Sequence, residues 1–161
     1  MRLGRRPRKL AAAMPDPRHG PYCLRQPASP EDWEVYHRIR RDVLLEAQKY
    51  ALEQADDIAP GHYALLLCQD DEPIGSIRID ITASGEAGLR LVAIHPNLQG
   101  RGCGRVLLRL AEDFARSRGC SRTVLYSTPE AVGFYSKAGY AEEDWDDVYI
   151  SGIVQMAKPL C

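Results

Sequence analysis

The period of the apolar positions changes several times along the chain, and each change marks an element. Trp33, Tyr36, Ile39, Val43, Leu44 and Ala47 recur at helical spacing, so one face of a helix is buried there. Ser29, Pro30, Glu31 and Asp32 precede that run. A serine hydroxyl caps free amides, proline fits a first turn, and acids suit the positive end of the helix dipole. Pro21–Arg25 reads as a short strand before it, and Glu53–Pro60 as an irregular or short helical connection after it. His62–Gln69 is an apolar run of strand length, and Asp70-Asp71-Glu72-Pro73 reads as a turn. From Ile74 to Ile81 the period is two: Ile77, Ile79 and Ile81 point one way, Ser76, Arg78 and Asp80 the other. Thr82–Gly88 reads as a polar loop and Leu89–His95 as the next strand, stopped by Pro96.

After Gly104 the helical period returns. Leu107, Leu110, Ala111 and Phe114 stand at i, i+3, i+4 and i+7, with Val106 widening the stripe and Gly119 as the C-terminal stop. Thr123–Ser127 is strand again. Thr128-Pro129-Glu130 opens a short helix carrying Phe134 and Tyr135, which Gly139 ends; Asp147–Lys158 holds a last strand or two. Strand, helix, three strands, helix, strand, helix and strands predict a mixed central β-sheet flanked by helices, an α/β (α+β) layer fold in a single domain over residues 20–161.

Composition agrees with that picture and removes several classes. The chain has 161 residues, 45 % apolar and 27 % charged, with a formal charge of -1, the profile of one globular domain. The balance gives no case for nucleic acid, which calls for a basic domain. Charge is uneven only in residues 1–19, where Arg2, Arg5, Arg6, Arg8, Lys9 and Arg18 face Asp16. This stretch reads as a solvated basic leader, with Met14 a candidate start. Leu10–Met14 is too short for a secretory apolar core, and no segment has the ~20 apolar residues of a membrane span. The five cysteines, Cys23, Cys68, Cys103, Cys120 and Cys161, form no CxxC pair. They suggest neither zinc nor a redox motif, and each reads as a small apolar residue in a reducing cytoplasm.

The chemistry concentrates between Leu89 and Ala115. An apolar strand enters a loop with Gly100, Gly102 and Gly104, and the loop opens directly into the amphipathic helix. Glycine lets a ligand approach the backbone and permits positive φ. The first amides of the helix have no internal partner, and the dipole's positive end lies behind them. Arg101 and Arg105 add charge, so a diphosphate is the natural guest. A dinucleotide fingerprint fails because Arg105 stands where its third glycine belongs, and the G-K-[ST] of a Walker loop is absent.

The run Gln99-Gly100-Arg101-Gly102-Cys103-Gly104 resembles the Q/R-x-x-G-x-G/A motif of the GNAT superfamily of acyl-CoA-dependent N-acyltransferases. Ala131-Val132-Gly133-Phe134-Tyr135-Ser136-Lys137-Ala138-Gly139-Tyr140 resembles that family's A-x-x-F-Y-x-K-x-G-F/Y segment. The order of elements from Pro21 to Pro159 agrees as well. The resemblance implies an N-acetyltransferase that takes acetyl-CoA as co-substrate, needs no metal, and acts on a primary amine of a small molecule or peptide. It implies a monomer or homodimer without nucleic-acid or membrane partners. CoA would lie in a wedge between Leu89–Ile94 and Thr123–Ser127. Val92, Ala93 and Ile94 would pair with pantetheine, and the amides of Gln99, Gly100, Arg101, Gly102, Cys103, Gly104 and Arg105 would hold the pyrophosphate. Thr128 stands where the family's common pantetheine-binding Asn would be.

Acyl transfer needs a neutral amine, donors for the oxyanion and a proton for the leaving thiolate. The resemblance gives the acid's position to Tyr135, although Phe134 fits the core-facing side of that helix better. The family's usual base position falls on Gly88, which leaves Asp80, Glu86 and His95 as stand-ins. Arg90 shares the strand parity of Gly88 and is a candidate to face the acceptor, as is the region Glu46–His62. A catalytically silent acyl-CoA-binding module and a nucleic-acid-linked protein using the basic leader are the rival classes.

Overall fold

The structure, a computed structural model, describes residues 20–44 and 57–160. The basic leader, residues 45–56, which include most of the expected acceptor region, and Cys161 lie outside the described residues. The strands are β1 (Tyr22–Arg25), β2 (His62–Gln69), β3 (Glu72–Ile81), β4 (Glu86–Ile94), β5 (Arg122–Ser127), β6 (Ala141–Glu142) and β7 (Val154–Pro159). The helices are α1 (Pro30–Leu44), α2 (Cys103–Ser117) and α3 (Val132–Lys137), with single 3₁₀ turns at Pro96–Leu98 and Pro129–Ala131.

All seven strands form one sheet in the order β1-β2-β3-β4-β5-β7-β6. Neighbours run antiparallel except β4 and β5, which are parallel and joined through α2, as a parallel pair requires a crossover. The alternation read from β3 holds: Ile77 and Ile79 are buried on one face, and Ser76, Arg78 and Asp80 project to the other. The first face packs with Leu65, Leu67, Leu89, Leu125 and Met156 against Leu107, Leu108 and Ala111 of α2. The second face meets α1, where Tyr36 and Ile39 close over Ala64, Leu66, Cys68 and Ala93. Helix α1 begins as its sequence dictates, with Ser29 Oγ accepting from Asp32 N at 3.1 Å.

Three boundaries differ from expectation, the first at β3, which begins at Glu72 inside the expected Asp70–Pro73 turn because Glu72 and Pro73 pair with Gln69 and Cys68. Glu86, Ala87 and Gly88 belong to β4, not to the preceding loop, because they pair with Ile81 and Asp80 on one side and Arg122–Val124 on the other. The end of the chain has one strand at Val154–Pro159, which pairs with β5 on one side and, on the other, with the two-residue β6 at Ala141–Glu142, before the expected span. A two-residue strand carries no period of its own, so only its pairing reveals it.

The α1 face holds charge deep in the protein. Arg40 and Asp57, each 2 % exposed, form a two-pronged pair at 2.8 and 3.1 Å. Arg78 Nη1 reaches the same Asp57 at 3.4 Å. The pair fastens α1 to the chain just before β2. Removing one partner of such a pair leaves a buried charge uncompensated. Asp57→Ala should therefore cost about 3–5 kcal/mol, seen as a lower midpoint in urea at unchanged slope. A midpoint equal to that of the parent protein would show that water replaces the carboxylate.

Candidate active site

The site begins where the parallel pair comes apart. Strands β4 and β5 are in register from Glu86↔Arg122 to Leu89↔Leu125. Beyond that, β4 runs on to Ile94 and β5 to Ser127 without pairing with each other. The parting coincides with a bulge: Ser76 pairs with Ala93 and Arg78 with Arg90, so Leu91 and Val92 together oppose Ile77. Leu91 has φ +54°, a left-handed conformation costly for a non-glycine residue. A bulge of this kind bends its strand and re-aims the backbone. The two strands thus part where the wedge was expected, with Val92, Ala93 and Ile94 on the β4 side.

At the open end of the wedge, His95 Nδ1 accepts from Asn97 N at 3.2 Å and caps the 3₁₀ turn. Gln99 Nε2 donates to Ile94 O at 3.1 Å and ties the loop to the end of β4. Gly100 and Gly102 have φ of +77° and +83°, and a Cβ on either would meet no atom within 4 Å. Their outer side is open space bordered by backbone. Gly102 is the N-cap of α2 and supplies no side-chain bond to the helix amides. Those amides, with the exposed Arg101 and Arg105 beside them, form a cradle suited to a diphosphate. Gly104 answers a different need: a Cβ there would stand 3.1 Å from Phe134 Cζ, so its absence lets α3 close on α2.

That contact settles the two aromatic residues of α3, and it reverses the expected assignment. Phe134 is 39 % exposed and lies against Gly104, whereas Tyr135 is 8 % exposed. Tyr135 shares a core cluster with Cys103 and Leu107 of α2 and packs edge-on against Tyr140. Burial pushes its phenol pKa above the ordinary value, so the hydroxyl keeps its proton through the neutral range. Cys103 is the buried first residue of α2 and hydrogen-bonds with Tyr22 of β1. Thr128 is exposed and precedes the 3₁₀ turn Pro129–Ala131, making no side-chain cap.

On the α1 face, Gly88 sits directly across from Asp80. A Cβ on Gly88 would find Arg90 Nε at 3.8 Å and Asp80 Cβ at 3.9 Å, so the three residues share one patch, as strand parity predicted for Arg90. Asp80 is gripped through both oxygens by Arg78, at 2.8 and 3.1 Å, with His62 at 3.6 Å and Arg90 at 3.7 Å. Glu86 is paired with Arg122, which also reaches Glu143. Asp80, Glu86 and His95 thus each have a partner already.

Sequence reasoning missed Tyr126 and Asp146. Tyr126 stands one place past the last β4–β5 pair, Arg90 covers its ring at 4.8 Å, and its hydroxyl donates to Asp146. Burial, followed by that carboxylate, pushes the Tyr126 phenol up to about 12; the same hydrogen bond holds the Asp146 carboxyl below its ordinary range. Trp145 Nε1 donates to Leu125 O at 3.1 Å, and Gln155 clamps the Asp146 backbone at 2.8 and 3.0 Å. A cavity of about 200 Å³ opens here, lined by Tyr126, Glu142, Asp144, Tyr149 and Ile153 among others. The only signal for this cluster in the sequence was the parity of Tyr126 against Leu125. Among the described residues no group of three or more His, Cys, Asp or Glu could hold a metal ion, and no helix is long and apolar enough to cross a membrane.

The family model of the acetyltransferase (GNAT) family matches residues 23–140, which include the wedge, the glycine loop and α3. The chain belongs to the GNAT family. Glucosamine 6-phosphate N-acetyltransferase 1 of Oryza sativa subsp. japonica is 38 % identical over 53 residues, 33 % of this chain and 32 % of that protein. The match thus spans only about a third of that relative's length. Among solved structures, Escherichia coli ElaA superposes with a TM-score of 0.71 at 16 % identity, over 85 % of this chain and 97 % of that one. The PaiA N-acetyltransferase of Thermoplasma acidophilum, solved in complex with coenzyme A, gives 0.66 at 20 % identity, over 86 % and 98 %. At these identities the structural likeness is one of fold.

A ligand of the native state raises its melting temperature, by the equivalent of about 2.7 kcal/mol at a hundred times Kd. Acetyl-CoA should do so here. Gly102→Val should cost about 1–2 kcal/mol for the left-handed backbone and lose the acetyl-CoA shift. Gly119 is the matched control, since it has φ +79° and equally open space at the far end of α2. Gly119→Val should cost as much and keep the shift. A full shift with Gly102→Val would remove the diphosphate from this loop.

Proposed function

We propose that the chain transfers an acetyl group from acetyl-CoA to a primary amine on a small molecule or peptide. The observation that supports this most is the combination of a parted β4–β5 pair with a bare-backbone cradle at the start of α2. Acetyl-CoA, when bound, supplies the activated thioester. The protein's own groups do the rest. The amides of Gln99 to Arg105 hold the pyrophosphate, with Gln99 fixing the loop through its side chain. Backbone groups of Val92, Ala93 and Ile94, unpaired on the β5 side, hold pantetheine and offer an amide to the oxyanion. Thr128 takes the place of the family's Asn, and its exposed hydroxyl makes a weaker contact.

Tyr135 supplies the proton to the departing sulfur. A phenol kept neutral by burial is suited to that role, since it arrives at the reaction protonated. Arg90 and Tyr126 border the acceptor's approach, and the cavity beside Tyr126 receives its body. No carboxylate stands at Gly88, and Asp80 opposite it is held by Arg78. In this scheme the amine loses its proton to water, or before it binds.

Three measurements test this scheme. Tyr135→Phe removes only a hydroxyl and should lower kcat roughly 10²-fold or more while the acetyl-CoA shift persists. An unchanged kcat with the best amine of a panel would show that the thiolate leaves unaided. Asp80→Asn, Glu86→Gln and His95→Gln, made singly, should each cost less than about tenfold in kcat/KM, short of the 10²–10⁴ of a true general base. The pH profile should climb toward the acceptor amine's own pKa and move when amines of different basicity are compared. A thousandfold loss from one substitution in a folded protein would identify a base and end the water route.

A further inference from the structure

Cys23 and Cys68 face each other across the first two strands. They are register partners in the antiparallel β1–β2 ladder. Pro21 O accepts from Asp70 N at 3.1 Å, which makes the Pro21–Asp70 pair a hydrogen-bonded one. Alternation then makes Cys23–Cys68 a hydrogen-bonded pair too, with Cα atoms about 5.5 Å apart. That separation is the commonest one for disulfides. Both side chains belong to the cluster under α1, and their thiols hydrogen-bond with each other. No other described cysteine competes: Tyr22, the next residue of β1 and so on the opposite face, reaches Cys103 there, and Cys120 lies in the α2-side cluster.

We propose that Cys23 and Cys68 are a modification site, a thiol pair that closes to a reversible cross-strand disulfide under peroxide. The two sulfurs are not equivalent. Cys68 is fully buried, while Cys23 is partly exposed on an edge strand of four residues. The peroxide therefore meets Cys23 first. Its thiolate takes one oxygen, the O–O bond breaks and hydroxide leaves, giving a sulfenic acid. The Cys68 sulfur then attacks the Cys23 sulfur; the S–S bond forms, the S–O bond breaks, and the hydroxyl departs as water with the Cys68 proton. Two thiols are oxidised and one peroxide is reduced to two waters. Arg25, two residues along the same face, sets its guanidinium beside the Cys68 sulfur and steadies negative charge during the second step. The Cys23 thiol and burial hold the Cys68 thiol above its ordinary range, which suits a resolving rather than a first-attacked sulfur. β1 has a ladder on one side only, so it can close the small distance that remains. The bond would tie off the stretch that includes α1.

The test uses the full chain, reduced and then exposed to hydrogen peroxide, quenched in acid and mapped without reductant. The expected product is a Cys23–Cys68 linked peptide pair lighter by two hydrogens. The thiol titre under denaturing conditions should fall from five to three and return to five with dithiothreitol. The oxidised protein should melt several degrees higher, as loop closure requires. Cys23→Ser and Cys68→Ala should each abolish the link, and Cys120→Ser should leave it. Five titratable thiols after treatment, a link from Cys23 to any other cysteine, or Cys23 oxidised to a sulfinic acid without a link would overturn the proposal. None of these readouts depends on acetyl-CoA.

Discussion

A parallel strand pair that stops pairing halfway leaves backbone donors and acceptors with no ladder partner, and a folded protein leaves such groups unmatched only where something else can meet them. In this chain the pairing of β4 and β5 ends at Leu89 and Leu125. The bulge at Leu91–Val92 turns β4 away at the same level. Everything else in the candidate site is placed relative to that parting. The 3₁₀ turn at Pro96–Leu98 and the Gln99 side chain set the glycine loop at the end of β4. The loop delivers the bare first turn of α2 to the mouth of the wedge, and α2 returns the chain to β5. The Trp145 indole donates to the carbonyl of Leu125, the last paired residue, so one of the parted groups is taken up by the protein itself.

The two faces of the sheet support the opening by different means. On the α2 side the support is dense apolar packing, in which Leu107, Leu108 and Ala111 are essentially without exposure. There position depends on shape, as Gly104 shows: the missing Cβ decides that Phe134 lies on the helix and Tyr135 goes under it. On the α1 side charge joins the apolar cluster under Tyr36 and Ile39. Asp57 binds Arg40 and Arg78, Asp80 binds Arg78, and Arg122 joins Glu86 to Glu143. Two-pronged guanidinium–carboxylate contacts fix direction as well as distance, which apolar contacts do not. The polar face is also the one on which Arg90 and Tyr126 stand.

Much of this could be read before any coordinates. The period of α2, the alternation of β3 and the cap at Ser29 are local, and local rules decide them. The glycine loop was legible because its residues have few uses other than bare backbone. What failed to show was whatever depends on a distant partner. Glu86 and Gly88 look like loop residues until Arg122 and Asp80 are set beside them. Nothing in the sequence around Arg40 marks it for burial, which its pairing with Asp57 makes possible. Phe134 and Tyr135 are neighbours on one short helix, and composition alone favours the fully apolar ring for the core. The contact with Gly104 overrules it. Tyr126 and Asp146 are 20 residues apart, and no pattern links them in the sequence.

The charged face also bears on how an amine could lose its proton. A carboxylate acts as a base through a lone pair it can aim at the substrate. Both oxygens of Asp80 are held by one guanidinium in fork geometry, so the oxygens nearest Gly88 are directed at Arg78. Glu86 is turned toward Arg122, at the closed end of the pair rather than the open one. His95 spends Nδ1 on the Asn97 amide. Asp146 accepts from Tyr126, whose ring carries Arg90 above it. An arrangement that occupies each of these carboxylates is suited to orienting an acceptor and setting the local field. Under the proposed scheme the amine's proton passes to water on the exposed side of the opening.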